Sequence, residues 1–318
     1  MRIPVIILFA PTATGKTALA LNLFGHSSRS FFKDRAELIS ADSMQVYKYL
    51  DIGTAKPSET EKTELKHHLI DVLEPSEQFS VADFVSCADK LCGKIYEQNK
   101  IPLIAGGTGF YIRNFILGLP KTPVSDEKIR NHIKERLKKE GKETLYAELE
   151  RVDSESAKKI NINDEYRICR ALEVFYSTGK PRSSFKVNMK VRELYDFCII
   201  VLERNREELY ERINLRVDKM FADGLEDEVC ALYKSGFTND MPGMQAIGYR
   251  EWFLPDGSFR NDSENVREEI KHDSRKYAKK QYTFMKDIPE AIRINVQDEQ
   301  SVLDEVQKHL KNKVFRLF

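Results

Sequence analysis

The chain lacks a surplus of either charge. Its 318 residues carry 51 Lys and Arg against 50 Asp and Glu, a formal net charge of +1. A generally basic, nucleic-acid-coating surface is therefore excluded, and any such surface must be local. Long apolar runs are missing as well. The longest, Ile3–Ala10, is too short to span a membrane. It also has neither the charged leader nor the small-residue cleavage site of a signal peptide. Cysteine is scarce. Cys87, Cys92, Cys169, Cys198 and Cys230 are odd in number, scattered, and form no C-x-x-C pair. Neither a zinc site nor a disulfide framework is signalled, and the thiols read as reduced and mostly buried in a cytoplasmic protein. Internal repeats and low-complexity tracts are absent. Apolar content is ordinary at 41%, which with the near-zero net charge excludes an intrinsically disordered chain.

What is present is an alternation of short aliphatic runs with helical stretches. Val5–Phe9, Glu37–Ala41, Ile101–Ala105, Phe197–Leu202 and Ile292–Val296 read as strands. Continuous apolar strands separated by helices predict an α/β fold with a parallel sheet covered on both faces. The length suggests two domains. A Pro-rich stretch at 118–126 leaves the core, and the sequence after it is helical and highly charged to about Lys190. Residues 121–190 hold 17 Lys and Arg against 12 Asp and Glu, a net of +5 that leaves −4 for the rest. The predicted organisation is a core of 1–119 and 191–318 with a helical insertion at 120–190. The insertion is either a local electrostatic footprint or a solvated helical face.

One motif carries chemistry on its own. Ala10-Pro11-Thr12-Ala13-Thr14-Gly15-Lys16-Thr17 follows the first strand and opens a helix over 18–24, the context a P-loop needs. Its backbone amides and the helix dipole would hold a phosphate or diphosphate, with Lys16 as a point charge and the Thr17 hydroxyl on Mg²⁺. Ala10 stands where the pattern has glycine; if its φ were positive the strain would be about 1–3 kcal/mol. Asp42 closes the second strand, at the carboxyl end where parallel sheets place ligands. It could be a metal-associated carboxylate, a base or a helix cap. In the helix expected over 206–221, Leu209, Ile213 and Met220 line an apolar face. Arg212 and Arg216 share the neighbouring stripe, as solvated side chains or as a basic clamp. His67-His68 reads as packing or capping rather than a metal site. Trp252 and the Phe31-Phe32 pair read as core.

Several segments then occur in order: the P-loop, Asp42-Ser43-Met44-Gln45-Val46-Tyr47, Gly53-Thr54-Ala55-Lys56-Pro57, His67-His68-Leu69-Ile70-Asp71 and Gly106-Gly107-Thr108-Gly109-Phe110-Tyr111. They continue with Arg167–Glu173, Thr178–Pro181, Ala246–Glu251 and Tyr277–Thr283. Together they resemble the bacterial tRNA dimethylallyltransferases, over nearly the whole chain. The resemblance implies a P-loop NTPase-like parallel sheet core with an inserted helical domain. It also implies transfer of a dimethylallyl group from its diphosphate to N6 of the adenosine 3′ to the anticodon, without ATP hydrolysis. By resemblance, Asp42 is the base, Arg216 joins the P-loop on the diphosphate, and Mg²⁺ is the cofactor. Asp42, Ser43, Met44, Gln45 and Thr108 would bind the tRNA, with Gln45 reading the adenine edge and the Thr108 hydroxyl near the amine. Arg130, Tyr166, Arg167, Ile168, Cys169 and Arg170 in the insertion would contact tRNA, as would Arg275 and Lys279 near the C-terminus. Tyr166, where related sequences carry Gln, would stack on a base. The partners implied are the tRNA anticodon stem-loop and dimethylallyl diphosphate, with no membrane, for a monomer. The rivals are a transferase acting on free adenine nucleotide, a small-molecule P-loop kinase and a non-catalytic RNA-binding paralogue.

Overall fold

The computed structural model describes residues 2–120, 126–185 and 190–311. Its six strands are β1 (Ile3–Phe9), β2 (Ala36–Ala41), β3 (His67–His68), β4 (Ile101–Gly106), β5 (Tyr195–Glu203) and β6 (Ile292–Asn295). They form one sheet in the order β3-β2-β4-β1-β5-β6, and every neighbouring pair is parallel. The five predicted strands are all present, to within two residues at each end. Strand β3 is additional; two residues are too few to show a period.

β1 and β4 are apolar throughout because helices cover both faces of the sheet. On one face, Ile6, Leu8 and Leu103 pack against Leu19 and Leu23 of helix Lys16–Phe24 and Val302 and Val306 of helix Glu299–Leu310. On the other, Phe84 of helix Val81–Glu97 stacks on Tyr111, and Phe115 meets Tyr195 and Phe197. Trp252 is fully buried and Phe32 nearly so, whereas Phe31 is 58% exposed, so only one ring of that pair joins the core. The five cysteines are all free. Among the described residues no helix is long and apolar enough to cross a membrane.

The chain divides into two compact units, residues 1–116 with 191–318, and residues 117–190. The second unit is helical. Helix Glu127–Val152 breaks at Gly141 (φ 82°), and Ile133, Leu145 and Leu149 pack with Ile168, Ala171 and Leu172 of helix Glu165–Thr178. Ile129 and Leu137, spaced four residues either side of Ile133, face this core as well. Residues 121–125 and 186–189 of the basic tract lie outside the described residues.

The edge of the sheet is fastened by charge. Glu37 of β2 is buried and accepts from Lys100 (2.8 Å), Lys66 (3.1 Å) and His68 (2.8 Å), the last on β3 itself. The His68 ring is thus a strut, as the packing reading expects. Burial alone would push the Glu37 carboxyl up, but the three donors overcome it and hold it down at about 2. A carboxyl depressed in the fold stabilises above its unfolded value of about 4.3, and that stability is lost as pH falls towards the folded value. Glu37→Gln is expected to cost about 2 kcal/mol at pH 7. That is below the 3–5 kcal/mol of a fully buried pair because Lys66 and Lys100 reach water. Chemical denaturation should show the gap between wild type and variant closing between about pH 4.3 and pH 2.

Candidate functional site

Three strand ends meet at the carboxyl edge. Phe9 of β1 and Ala41 of β2 are both level with Gly106 of β4, so the P-loop, Asp42 and the Gly-Gly turn start side by side. Gly106 must lack a side chain, since a Cβ there would lie 2.1 Å from the Ala41 carbonyl oxygen. A Cβ on Gly107 would lie 2.3 Å from the Gln281 amide. Both glycines make room for the protein's own backbone and side chains at the cavity wall.

The loop itself departs from the expected pattern in a useful way. Ala10 is buried in the core and is not in the left-handed region. The left-handed residues are Ala13 (φ 60°) and Gly15 (φ 106°). The strain expected at Ala10 is therefore absent, and alanine fits because its methyl packs. Ala10→Gly should leave kcat/KM within about tenfold, or 1.4 kcal/mol, in a steady-state assay. Not every loop residue offers an amide. Pro11 has none, Ala10 N donates to Gly106 O, Thr14 N to Pro11 O, and Thr12 N to Gln281 Oε1 at 3.0 Å. The N–H groups of Ala13, Gly15, Lys16 and Thr17 take no acceptor from the described residues. Helix Lys16–Phe24 begins with no side-chain cap and no acid in its first turn, which leaves its positive end for an anion.

Two arginines hold the loop from behind. Arg204 Nε donates to Thr14 O (3.0 Å), and Arg212 Nε donates to Ala13 O (2.9 Å). Arg212 lies in helix Arg206–Ala222, which starts abruptly because Asn205 caps Glu207 N and Glu208 N. The same helix brings Arg216 to Thr54 O (3.4 Å) and buries Leu209, Ile213 and Met220 beneath it. Arg212 and Arg216 are thus not merely solvated. Lys16, Arg216 and Asp42 feel one another directly. Burial lowers the Lys16 ammonium pKa, with Asp42 opposing and Arg216 adding to the shift. Burial likewise lowers Arg216 against the pull of Asp42. Two cations crowded around one carboxylate leave a local excess of positive charge, which suits an anionic ligand.

Asp42 also has a structural duty. Its Oδ1 accepts from Met44 N (2.9 Å) and Gln45 N (3.3 Å), so the capping reading holds alongside any chemical one. Ser43 N donates to Thr108 Oγ1 at 3.0 Å, and Thr108 in turn bonds the Tyr277 hydroxyl. The Thr108 oxygen therefore braces the Asp42 turn. Gln45 is turned inward: its amide nitrogen donates to Thr54 O and Ala55 O, and its oxygen accepts from Ser40. Gln45 lines the cavity, held in place by these bonds. An open cavity of about 1530 Å³ is lined by the P-loop, Asp42, Arg216, Ile213, Met220 and Tyr277 among others. Burial first, then Asp42, pushes the Tyr277 hydroxyl up to about 12. Tyr277 and Gln281 were not singled out from sequence. Their signal was an i, i+4 pair on the apolar face of helix Ser263–Lys286.

A model of the IPP transferase family matches residues 45–288. A tRNA dimethylallyltransferase of Sulfurihydrogenibium sp. is 44% identical over 278 residues, covering 87% of this chain and 86% of that protein. The chain belongs to the IPP transferase family. Among solved structures, the full-length tRNA isopentenylpyrophosphate transferase of Bacillus halodurans is 33% identical, with a TM-score of 0.67 and 98% of each chain covered. A eukaryotic dimethylallyltransferase captured acting on tRNA is 26% identical, with a TM-score of 0.76, covering 98% of this chain and 77% of that one.

In the helical unit the candidate tRNA contacts of this IPP transferase differ in exposure. Ile168 is fully buried and Cys169 is 8% exposed, both inside the helical core. Both side chains face that core. Tyr166 is 81% exposed, and Arg167 is exposed with an ion pair to Asp164 (3.1 Å). Arg170 pairs with Glu173 (3.0 Å), and Arg130 is half-buried. In helix Ser263–Lys286, Lys279 is exposed, while Arg275 bonds Asn214 and the Tyr282 hydroxyl bonds Arg204 O. Among the described residues no group of three His, Cys, Asp or Glu side chains could hold a metal ion. The Thr17 hydroxyl and Asp42 fit Mg²⁺ only as part of a shell completed by phosphate oxygens and water, which is how Mg²⁺ is usually held.

Proposed function

We propose that this chain transfers the dimethylallyl group of dimethylallyl diphosphate to N6 of the adenosine 3′ to the anticodon of tRNA, releasing diphosphate. The observation that carries the reading is that Lys16, Arg216 and Asp42 line one cavity, beside loop amides that take no acceptor among the described residues. One cluster thereby supplies a seat for a leaving diphosphate and a carboxylate for a proton. The N–H groups of Ala13, Gly15, Lys16 and Thr17 bind the diphosphate, and Lys16 and Arg216 neutralise the charge that grows as the C–O bond breaks. The electron pair of that bond leaves with the diphosphate. The N6 lone pair, delocalised into the purine, forms the new bond to the prenyl carbon, and Asp42 takes the amine proton as it does so. Oδ1 is anchored by two backbone amides, which fixes the carboxylate for that transfer. Tyr277 and Thr108 hold the Asp42 turn, and Ile213 and Met220 give the prenyl group an apolar wall. Mg²⁺, held on Thr17, would offset further diphosphate charge.

Tyr166, Arg167, Arg130, Arg170 and Lys279 are the proposed tRNA ligands, by stacking and by phosphate contact. The target base leaves its stack to react, at a cost of a few kcal/mol. The protein works as a monomer in the cytoplasm, consistent with its five free thiols. Incubation with labelled dimethylallyl diphosphate, Mg²⁺ and unmodified tRNA, followed by nucleoside analysis, tests the reading. Label in an N6-modified adenosine is expected. Equal transfer to AMP would favour the free-nucleotide rival, and γ-phosphate transfer from ATP to a small molecule would favour a kinase.

A further inference from the structure

The segment Asp51–Gly53 is organised around a carboxylate that comes from far along the chain. Glu228, in helix Leu225–Lys234, accepts from three consecutive backbone amides: Asp51 N (3.1 Å), Ile52 N (2.9 Å) and Gly53 N (3.3 Å). Its Oε1 also accepts from the Tyr249 hydroxyl, which itself accepts from Gly53 N at 3.1 Å. Gly53 can have no side chain, since a Cβ would lie 2.4 Å from the Tyr249 ring. Tyr249 is fully buried. A nest of amides closed by a carboxylate and a buried phenol makes a rigid joint.

What the joint holds is the next residue. The carbonyl of Thr54 accepts from Arg216 and from the Gln45 amide. Thr54 is itself buried, its hydroxyl tied to Leu50 O at 2.6 Å. Glu228 touches neither the P-loop nor Asp42, and it does not line the cavity. It bonds the backbone of residues that do line the cavity, and its path to Arg216 runs through Gly53 and Thr54 to the oxygen that orients the guanidinium.

We infer that Glu228 and Tyr249 are positioning residues for the diphosphate site. They fix the Thr54 carbonyl, and the carbonyl aims Arg216 at the leaving group. The inference rests on the reading of Arg216 as a diphosphate ligand. A loosened joint would let Arg216 swing, so the donor would bind less well in both ground and transition states, while tRNA binding would not change.

The test uses the full chain. E228Q keeps the volume of the side chain but replaces one acceptor oxygen with a donor NH₂ that opposes the amide nest. Steady-state transfer to an anticodon stem-loop RNA is measured with dimethylallyl diphosphate varied, then with RNA varied. The KM for the donor is expected to rise about tenfold and the KM for RNA to stay within twofold. A role confined to stability would lower the active fraction, and so kcat, and leave the donor KM alone. E228Q combined with R216K is expected to raise the donor KM less than twofold beyond R216K alone, because both act through one guanidinium. Should E228Q fail to fold, E228D serves, with a donor KM raised in the same direction. A folded variant with a wild-type donor KM would overturn the inference, as would E228Q and R216K effects that multiply in full. Wild-type protein that transfers no prenyl group at all would instead sink the reading of the site.

Discussion

Asp42→Asn should lower kcat by roughly 10²–10⁴, the range for loss of a general base, while the Kd for an anticodon stem-loop stays within about threefold. The choice of asparagine follows from the two duties of Asp42. Oδ1 accepts from Met44 N and Gln45 N, and an Asn side-chain oxygen can accept both. The turn, its brace to Thr108 and the cavity wall therefore survive, and only the ability to take a proton is lost. Asp42→Ala removes both, so it should abolish transfer and also loosen the turn. The difference between the two variants separates base from cap. Single-turnover transfer with the RNA saturating gives the rate, and fluorescence anisotropy gives the affinity. Activity retained by Asp42→Asn would remove the base assignment and leave Asp42 as a cap.

The strands were legible because burial on both faces writes itself as an unbroken apolar run, and the run at Val5–Phe9 leads straight into the loop. The loop was legible as a pattern but misread in its particulars. Glycine's place in the template suggested strain at Ala10, yet the left-handed positions are Ala13 and Gly15. Only the path of the backbone decides which residue turns. The five consecutive residues Tyr166 to Arg170 do not share one face. A helix points neighbours about 100° apart, so Ile168 and Cys169 face the core while Tyr166 and Arg167 face solvent.

What sequence could not supply were the bonds between distant residues. Thr12 meets Gln281 across 269 positions, and Ala13 and Thr14 meet Arg212 and Arg204 across 199 and 190. Glu228 meets Gly53 across 175. None has a periodic signature. Each is a single polar side chain chosen for one backbone group, and only the folded path brings the two together. Those are the contacts that turn a phosphate-binding pattern into a loop with four available amides, one lysine and one aimed guanidinium.

Lys16→Ala should reduce kcat/KM for the prenyl diphosphate by about 10²–10³, or about 2.7–4 kcal/mol, the usual cost of losing one preorganised donor at a developing charge. Arg204 and Arg212 are turned to loop carbonyls, and Arg216, anchored on Thr54 O, meets the diphosphate beside Lys16 rather than in its place. The charge state of Lys16 adds a second signature. Burial lowers its pKa below the ordinary lysine value, only partly offset by Asp42. The free enzyme should therefore lose the ammonium at a lower pH than an exposed lysine does. The kcat/KM for the donor reports the donor-free form, so it should fall on the alkaline side, at a pH below 10.5. Bound diphosphate favours the charged form and raises the pKa again, so kcat should hold to higher pH than kcat/KM. Steady-state profiles of both quantities, with donor varied at saturating RNA, measure the gap. Coincident alkaline limbs would mean that the ammonium does not face the diphosphate.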